Sequence, residues 1–365
     1  MTLDSRTRRA LVACSALFLL TVATPAFKAV TLRASGALYT VTDLGALNCC
    51  YDWINASSAL AVNAQGDVAG FTSSPTDPSR TIPFVHRNGI MTAIIDAYGR
   101  ATSINDNGEV TGFFLPSGEP NVHAFRYHNG VFTDVGALAG FANEPYSIGW
   151  AINNSGTIAG DSNNGAWIVD STGDMWRLKR QAARTAYGIN DAGDVVGLLQ
   201  PPVWTPNANH GFLFDGHSML VLPTLDDDPA SATVPTAINS SRQIAGYGWR
   251  NGNSEQRAFL YENGVMKDLG TLHPASPGSH WSSAHAINSF GHVVGISDGS
   301  VFLYKDGAMI DLNAAIDKDA SGIWPKISVV QGINDVGEIA GTCYLDGPGG
   351  VTIRACLLTP VAVNP

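Results

Sequence analysis

Ser103-Ile104-Asn105-Asp106-Asn107-Gly108-Glu109-Val110-Thr111-Gly112 decides the fold. Asparagine opens a turn because its side chain bonds its own backbone two residues on. Gly108 supplies the positive φ that closes the turn. Short apolar, β-branched stretches flank it, so the segment reads as a tight hairpin between two strands. The segment recurs in seven copies aligned on Asn63, Asn105, Asn153, Asn190, Asn239, Asn288 and Asn334, at spacings of 42, 48, 37, 49, 49 and 46 residues. Val62 or an Ile precedes each asparagine, Val or Ile follows five residues on, and Gly follows seven residues on. A further Gly stands three residues on in six copies, with Arg242 the exception.

A second hairpin follows in each copy. Its first strand carries Phe84, Phe125, Trp167, Phe212, Phe259, Phe302 and, in the last copy, Cys356. Asn88-Gly89, Asn129-Gly130, Asp215-Gly216, Asn263-Gly264 and Asp306-Gly307 then mark turns. Asn-Gly and Asp-Gly between apolar runs are strong hairpin signals. Each copy is therefore four strands, and repeated four-stranded units of about 40–50 residues are the mark of a β-propeller. Tyr39-Thr40-Val41-Thr42-Asp43-Leu44-Gly45 matches the fourth strand of a repeat, while the last copy stops after its third strand, near Leu358. The expectation is an all-β, seven-bladed propeller over residues 39–361 whose last blade is completed by the N-terminal strand. Such closure removes a sheet edge, which a linear array would not need.

Ile104-Asn105, Gly108, Val110 and Gly112, then His123-Ala124-Phe125 and Tyr127, then endings such as Asp268-Leu269-Gly270-Thr271-Leu272, resemble the HAF-repeat family of bacterial extracellular proteins. The resemblance recurs in register through the repeats. It departs at Ala166-Trp167, at Arg242 and at Cys356. It implies an extracellular protein and brings no catalytic residues with it.

The N-terminus reads independently as an export signal over residues 1–26. Arg6, Arg8 and Arg9 precede an apolar run, and Thr24-Pro25-Ala26 offers small residues before a cleavage point. Residues 27–38 read as a short linker and 362–365 as a tail. The expected location is extracellular or periplasmic. The formal net charge is −10, and the signal holds three of the 21 basic residues, so nucleic acid is not an expected partner. No apolar stretch beyond the signal is long enough to span a bilayer. No cofactor or metal motif stands out.

The length of the chain varies widely between the two hairpins and between blades, while the first tight turn keeps its length and the distance from the core aromatic to the second turn's Gly stays within four to six residues. In a four-stranded meander the variable loops share one face and the tight turns share the other. Loops on a rigid scaffold commonly carry binding. Trp53, Trp150, Trp204, Trp249, Trp281 and Trp324 all fall in the variable segments, accompanied by Tyr51, Tyr146 and His280. Loop aromatics suit sugar rings or a protein partner; the competing reading is packing at the blade ends. The residue three before each asparagine varies (Leu60, Thr102, Trp150, Tyr187, Thr236, His285, Gln331) next to an invariably small one. This predicts a variable ring near the channel mouth and adds Tyr187 and His285 to the candidates.

The function expected is a secreted, non-catalytic binding or interaction module with a carbohydrate or protein partner on the variable face. The alternative is an exported enzyme acting on glycans through loop carboxylates, drawn from Glu119, Glu144, Asp161, Glu255 and Asp226-Asp227-Asp228. An oxidising compartment permits disulfides. Cys343 leaves the second strand of the last blade near the exit of the N-terminal strand, so Cys49 or Cys50 is its expected partner. Cys356 stands in an aromatic's place, with pairing to Cys343 across the hairpin as the alternative.

Overall fold

The structure is a computed structural model that describes residues 38–47, 56–136, 146–178, 182–200, 209–251, 254–273, 280–316, 324–347 and 350–361. Seven four-stranded antiparallel sheets make up the seven blades of a β-propeller. After β1 (Tyr39–Asp43), blade 1 contains β2 (Ser57–Val62), β3 (Val68–Ser73), β4 (Thr81–Arg87) and β5 (Ile90–Ala93). Blade 2 contains β6 (Gly99–Ile104), β7 (Val110–Phe114), β8 (His123–His128) and β9 (Val131–Asp134). Blade 3 contains β10 (Ser147–Ile152), β11 (Ile158–Ser162), β12 (Gly165–Val169) and β13 (Met175–Arg177). Blade 4 contains β14 (Ala183–Ile189), β15 (Val195–Leu199), β16 (Gly211–Phe214) and β17 (Met219–Val221). Blade 5 contains β18 (Thr233–Ile238), β19 (Ile244–Arg250), β20 (Glu255–Glu262) and β21 (Val265–Asp268). Blade 6 contains β22 (Ser282–Ile287), β23 (Val293–Ser297), β24 (Ser300–Lys305) and β25 (Ala308–Asp311). Blade 7 supplies only β26 (Trp324–Ile333), β27 (Ile339–Gly347) and β28 (Gly350–Pro360) from the C-terminal part of the chain.

The fourth strand of blade 7 is β1. It runs antiparallel to β28 from Tyr39 opposite Pro360 to Asp43 opposite Cys356. The N-terminal strand thus closes the ring, as the split repeat predicts.

Each asparagine turn forms as the residues dictate. The residue three after the asparagine has positive φ in every blade, and in blade 5 that residue is Arg242, at +61°. The strain of a non-Gly residue there is offset by a bidentate ion pair across blades. Arg242 Nε and Nη2 donate to the buried Asp194 carboxylate at 2.7 and 2.6 Å.

The Gly seven residues on answers a different need. In every blade it lies opposite the core aromatic position: Gly70 faces Phe84, Gly112 Phe125, Gly160 Trp167, Gly197 Phe212, Gly246 Phe259, Gly295 Phe302 and Gly341 Cys356. A Cβ at Gly70 would lie 2.0 Å from Ser58 O and 3.0 Å from the Phe84 ring. Backbone and ring leave no room for a side chain there.

Apolar layers between blades form the core. The Phe302 layer, for example, packs Ala245, Ala258 and Leu260 of blade 5 against Ala284, Ile287 and Val293 of blade 6. Phe84, Phe125, Trp167, Phe212, Phe259 and Phe302 are fully buried.

The disulfide expectation is corrected. Cys343 is bonded to Cys356, not to Cys49 or Cys50, and the last two lie outside the described residues. Cys343 lies opposite Arg354 and Cys356 opposite Gly341, so the cysteines are diagonal neighbours on paired strands, with Cα atoms 6.0 Å apart. Blade 2 shows what the bond replaces: Phe114 and Phe125 hold the equivalent positions, their ring centroids 6.5 Å apart. Both cysteines are buried in the blade 7 core.

Candidate binding site on the variable face

The asparagines do more than open turns. Every Oδ1 accepts the backbone N–H four residues on, at 2.8–3.0 Å. Every Nδ2 donates to the backbone carbonyl of the next blade's asparagine, at 2.8–3.1 Å. The last bond runs from Asn334 to Asn63, so the ring is closed. These residues and their chain neighbours line an axial cavity of about 300 Å³.

Further along each innermost strand the pairing register skips one residue. The skips fall between Ala59 and Ala61, Ala101 and Ser103, Gly149 and Ala151, Ala186 and Gly188, Pro235 and Ala237, Ala284 and Ala286, and Val330 and Gly332. The skipped residues are the variable set from Leu60 to Gln331, and all are half-buried. A bulge re-aims the side chain of its extra residue. Here several reach the next blade. Thr102 and Thr236 hydroxyls donate to Gly149 O at 2.6 Å and Ala284 O at 3.0 Å. His285 Nδ1 lies 2.8 Å from Val330 O, and burial lowers the pKa of that ring. His285 is thus engaged in joining blades.

Trp150 and Tyr187, from blades 3 and 4, meet ring edge to ring face, with centroids 5.7 Å apart and planes at 66°. Behind them lies Asp161, only 7% exposed. Trp150 Nε1 donates to one carboxylate oxygen and Tyr146 OH donates to the other at 3.2 Å. Burial pushes the Asp161 carboxyl up, against the opposing pull of Trp150, Tyr146 and Arg184. The Tyr187 phenol is also raised, first by burial and then by Tyr247 and Asp161. Burial raises Tyr247 as well. Tyr247 in turn packs against Trp249, with centroids 5.3 Å apart at 65°. The result is an arc of half-buried aromatic rings over three consecutive blades, with protonated hydroxyls and one buried carboxylate.

The other candidates stand apart from this arc. Trp281 is exposed, and its backbone is tied to Asp298. Trp53 and Trp204 lie outside the described residues, as does the side chain of Trp324 at the start of β26. Among the loop carboxylates, Glu255 binds Arg250 and Arg257. Asp226 accepts from Ser231 and Asn251. Glu119 is exposed in a turn, and Glu144 lies outside the described residues. Sequence reading overlooked Tyr247. Tyr247 and Asp161 both stand eight residues after their hairpin asparagine, a position whose variability (Phe71, Phe113, Asp161, Leu198, Tyr247, Ile296, Thr342) was the available signal.

No protein-family model matches the sequence, and no curated protein matches it. Solved structures match in fold. The β-propeller domain of the Trilobed protease from Pyrococcus furiosus, which has an open velcro topology, superposes with a TM-score of 0.53 at 10% identity, over 85% of this chain and 99% of that one. The extracellular domain of a one-component system from B. thetaiotaomicron gives 0.52 at 9% identity, over 89% of this chain and 40% of that one. Pyrococcus horikoshii acylaminoacyl peptidase gives 0.50 at 12% identity, over 82% of this chain and 52% of that one. This chain spans about half the length of that peptidase. At such identities the likeness shows the β-propeller fold alone. Among the described residues no helix is long and apolar enough to cross a membrane.

Proposed function

We propose that this protein is an exported binding module of the HAF-repeat kind that holds a carbohydrate on its variable face. The observation that carries the reading is the arc of Trp150, Tyr187, Tyr247 and Trp249 across blades 3 to 5. Sugar rings present apolar C–H faces and hydroxyl rims, and half-buried Trp and Tyr offer a flat apolar face with a polar tip. Burial holds the Tyr187 and Tyr247 hydroxyls protonated, so they both donate and accept at neutral pH. Asp161 anchors Trp150 and Tyr146, and so fixes the arc before a ligand arrives.

A glycan array probed with wild type and with Trp249→Ala tests this. Wild type should bind a restricted set of glycans, and the variant should bind them on the order of tenfold more weakly. Absence of any glycan ligand, or a variant that binds as wild type does, overturns the carbohydrate reading. Binding that appears only with a protein probe transfers the face to a protein partner.

A further inference from the structure

We infer that the glycan of the variable face is an acidic one, and that Arg100 and Arg184 take its carboxylate or sulfate groups. The inference rests on the carbohydrate reading above and narrows it. Both side chains are exposed, and both stand at the variable-face end of an innermost strand, five residues before Asn105 and six before Asn190. Neither makes a hydrogen bond among the described residues. Every other described arginine gives N–H groups to the protein, as Arg80 does to Asp96, Arg126 to Gly156 O and Arg250 to Glu255. An arginine carries its N–H donors in a planar fork that matches paired oxyanion oxygens.

Local structure brings both groups to the aromatic surface. In β14 the pairing register skips twice, at Arg184 and at Tyr187, and each skip re-aims a side chain. Burial raises the pKa of Asp161 and of Tyr187, and Arg184 lies close enough to both to oppose it. The Asp161 oxygens are already taken by Trp150 Nε1 and Tyr146 OH, so the Arg184 fork keeps its donors. Arg100 stands over the Phe71 ring of blade 1, its guanidinium carbon 4.4 Å from the ring centroid. Stacking of this kind holds the fork flat and leaves its in-plane N–H groups for a ligand. Phe113 lies opposite Arg100 on β7 and packs against Tyr98, with centroids 6.2 Å apart. The aromatic surface therefore continues from the arc into blades 1 and 2, with one arginine beside the Trp150–Tyr187 pair and the other at the far end.

The formal net charge of the chain is −10, so the molecule as a whole repels polyanions and any attraction for one is local. Acids close in sequence or space do not cancel the two arginines. Asp96, four residues before Arg100, is held by Arg80, Ser74 and Thr76. Asp161 is buried and hydrogen-bonded. A neutral sugar gains nothing from either guanidinium group beyond an ordinary hydrogen bond, whereas an acid group forms charge-assisted bonds about twice as strong. Two arginines set apart on one aromatic surface fit a chain with repeated acid groups better than a single acidic sugar.

Titration calorimetry tests the proposal with a panel of hexauronates that differ in sugar and linkage, the neutral hexamers made by reducing their carboxyl groups, and the sulfate esters of those neutral hexamers. Wild type should bind an acidic hexamer at least about tenfold more tightly than its neutral parent. Tight binding of a uronate identifies carboxylate as the recognised group, and tight binding of an ester identifies sulfate. Arg184→Gln and Arg100→Gln should each remove most of that preference and leave binding of the neutral hexamer unchanged. Trp249→Ala should instead weaken acidic and neutral forms alike. Both arginines are exposed, so the unfolding midpoints of their two variants should match wild type, which separates lost recognition from lost fold. Neutral hexamers bound as tightly as acidic ones overturn the inference, and so does a preference that survives both substitutions. If the glycan array yields only neutral ligands, the inference falls and the carbohydrate reading stands; if it yields none, both fall.

Discussion

Asn153 shows how one side chain serves both a turn and the ring. Its Oδ1 accepts from Thr157 N at 2.9 Å, and its Nδ2 donates to Asn190 O at 3.0 Å. Only an amide carries an acceptor and a donor on the same fork. Asn153→Asp keeps the shape and the acceptor but turns a buried oxygen toward a carbonyl oxygen. We expect a loss of about 1–3 kcal/mol at neutral pH, measured by urea unfolding. The new carboxyl would have a folded-state pKa above its unfolded value. Stability would therefore be greatest relative to wild type at acid pH, where the protonated oxygen donates, and would be lost as pH rises through the folded pKa. An Asp variant equally stable at every pH would show that the inter-blade bond contributes nothing. The turn half of this role is legible in the sequence, because it lies within five residues of chain. The ring half is not, because its partner lies 37–49 residues away in six copies and 271 in the last, and meets the amide only once the blades close. The Gly seven residues on is similar: its recurrence is plain in the sequence, while its cause is the approach of a strand carbonyl and a ring from elsewhere.

At the scale of the element, blade 7 differs from the other six in how its face is stitched. Blade 2 fills the diagonal between its second and third strands with two aromatic rings, and blade 7 fills it with the Cys343–Cys356 bond. The cysteines are 13 residues apart in sequence, and closing a loop of that size stabilises by about 3 kcal/mol in the chain-entropy account. Reduction should lower the unfolding free energy by roughly that amount. The paired replacement Cys343→Ala with Cys356→Phe should recover part of it, since Gly341 already leaves the gap that a ring fills elsewhere. Equal stability of oxidised and reduced protein in urea would contradict this. The pairing was hard to foresee because adjacency of the ends of β1 and β27 pointed to Cys49 or Cys50. The deciding geometry is register: plus-nine on the second strand lies diagonal to the core aromatic position on the third. The aromatic arc follows the same logic. Its tryptophans are conspicuous as loop residues, but the bulge that aims Trp150 at Tyr187 is a pairing irregularity and leaves no mark in hydrophobic pattern.

For the whole molecule, the important choice is where the chain begins relative to the ring. Six blades are local in sequence, each a run of four consecutive strands, and blade 7 alone joins strands from both ends. Closing it brings together residues more than 300 positions apart, as in the Thr40 to Thr359 contact. Loop-closure entropy grows only slowly with length, so such a closure is affordable in the native state. It falls late in folding, because non-local contacts reward the chain only after the intervening blades have formed. The split also has a built-in alternative. Tyr39 lies opposite Pro360, and Val361 N donates to Leu38 O at 2.9 Å, so the ends of β28 and β1 already sit as the arms of a hairpin. A circular permutant that joins Pro360 to Tyr39 through Asn-Gly, and opens the chain between Leu47 and Ala56, would give blade 7 the same local connection as the others. We expect it to fold into the same propeller, with native-like stability and faster refolding, because the long-range pairing of β1 with β28 has become a hairpin, and only the closure of blade 7 on blade 1, as in the Asn334 to Asn63 bond, stays non-local. Stopped-flow refolding compared with wild type measures this. A permutant that folds no faster would mean that the ring is limited by assembly of the blades and not by the docking of β1.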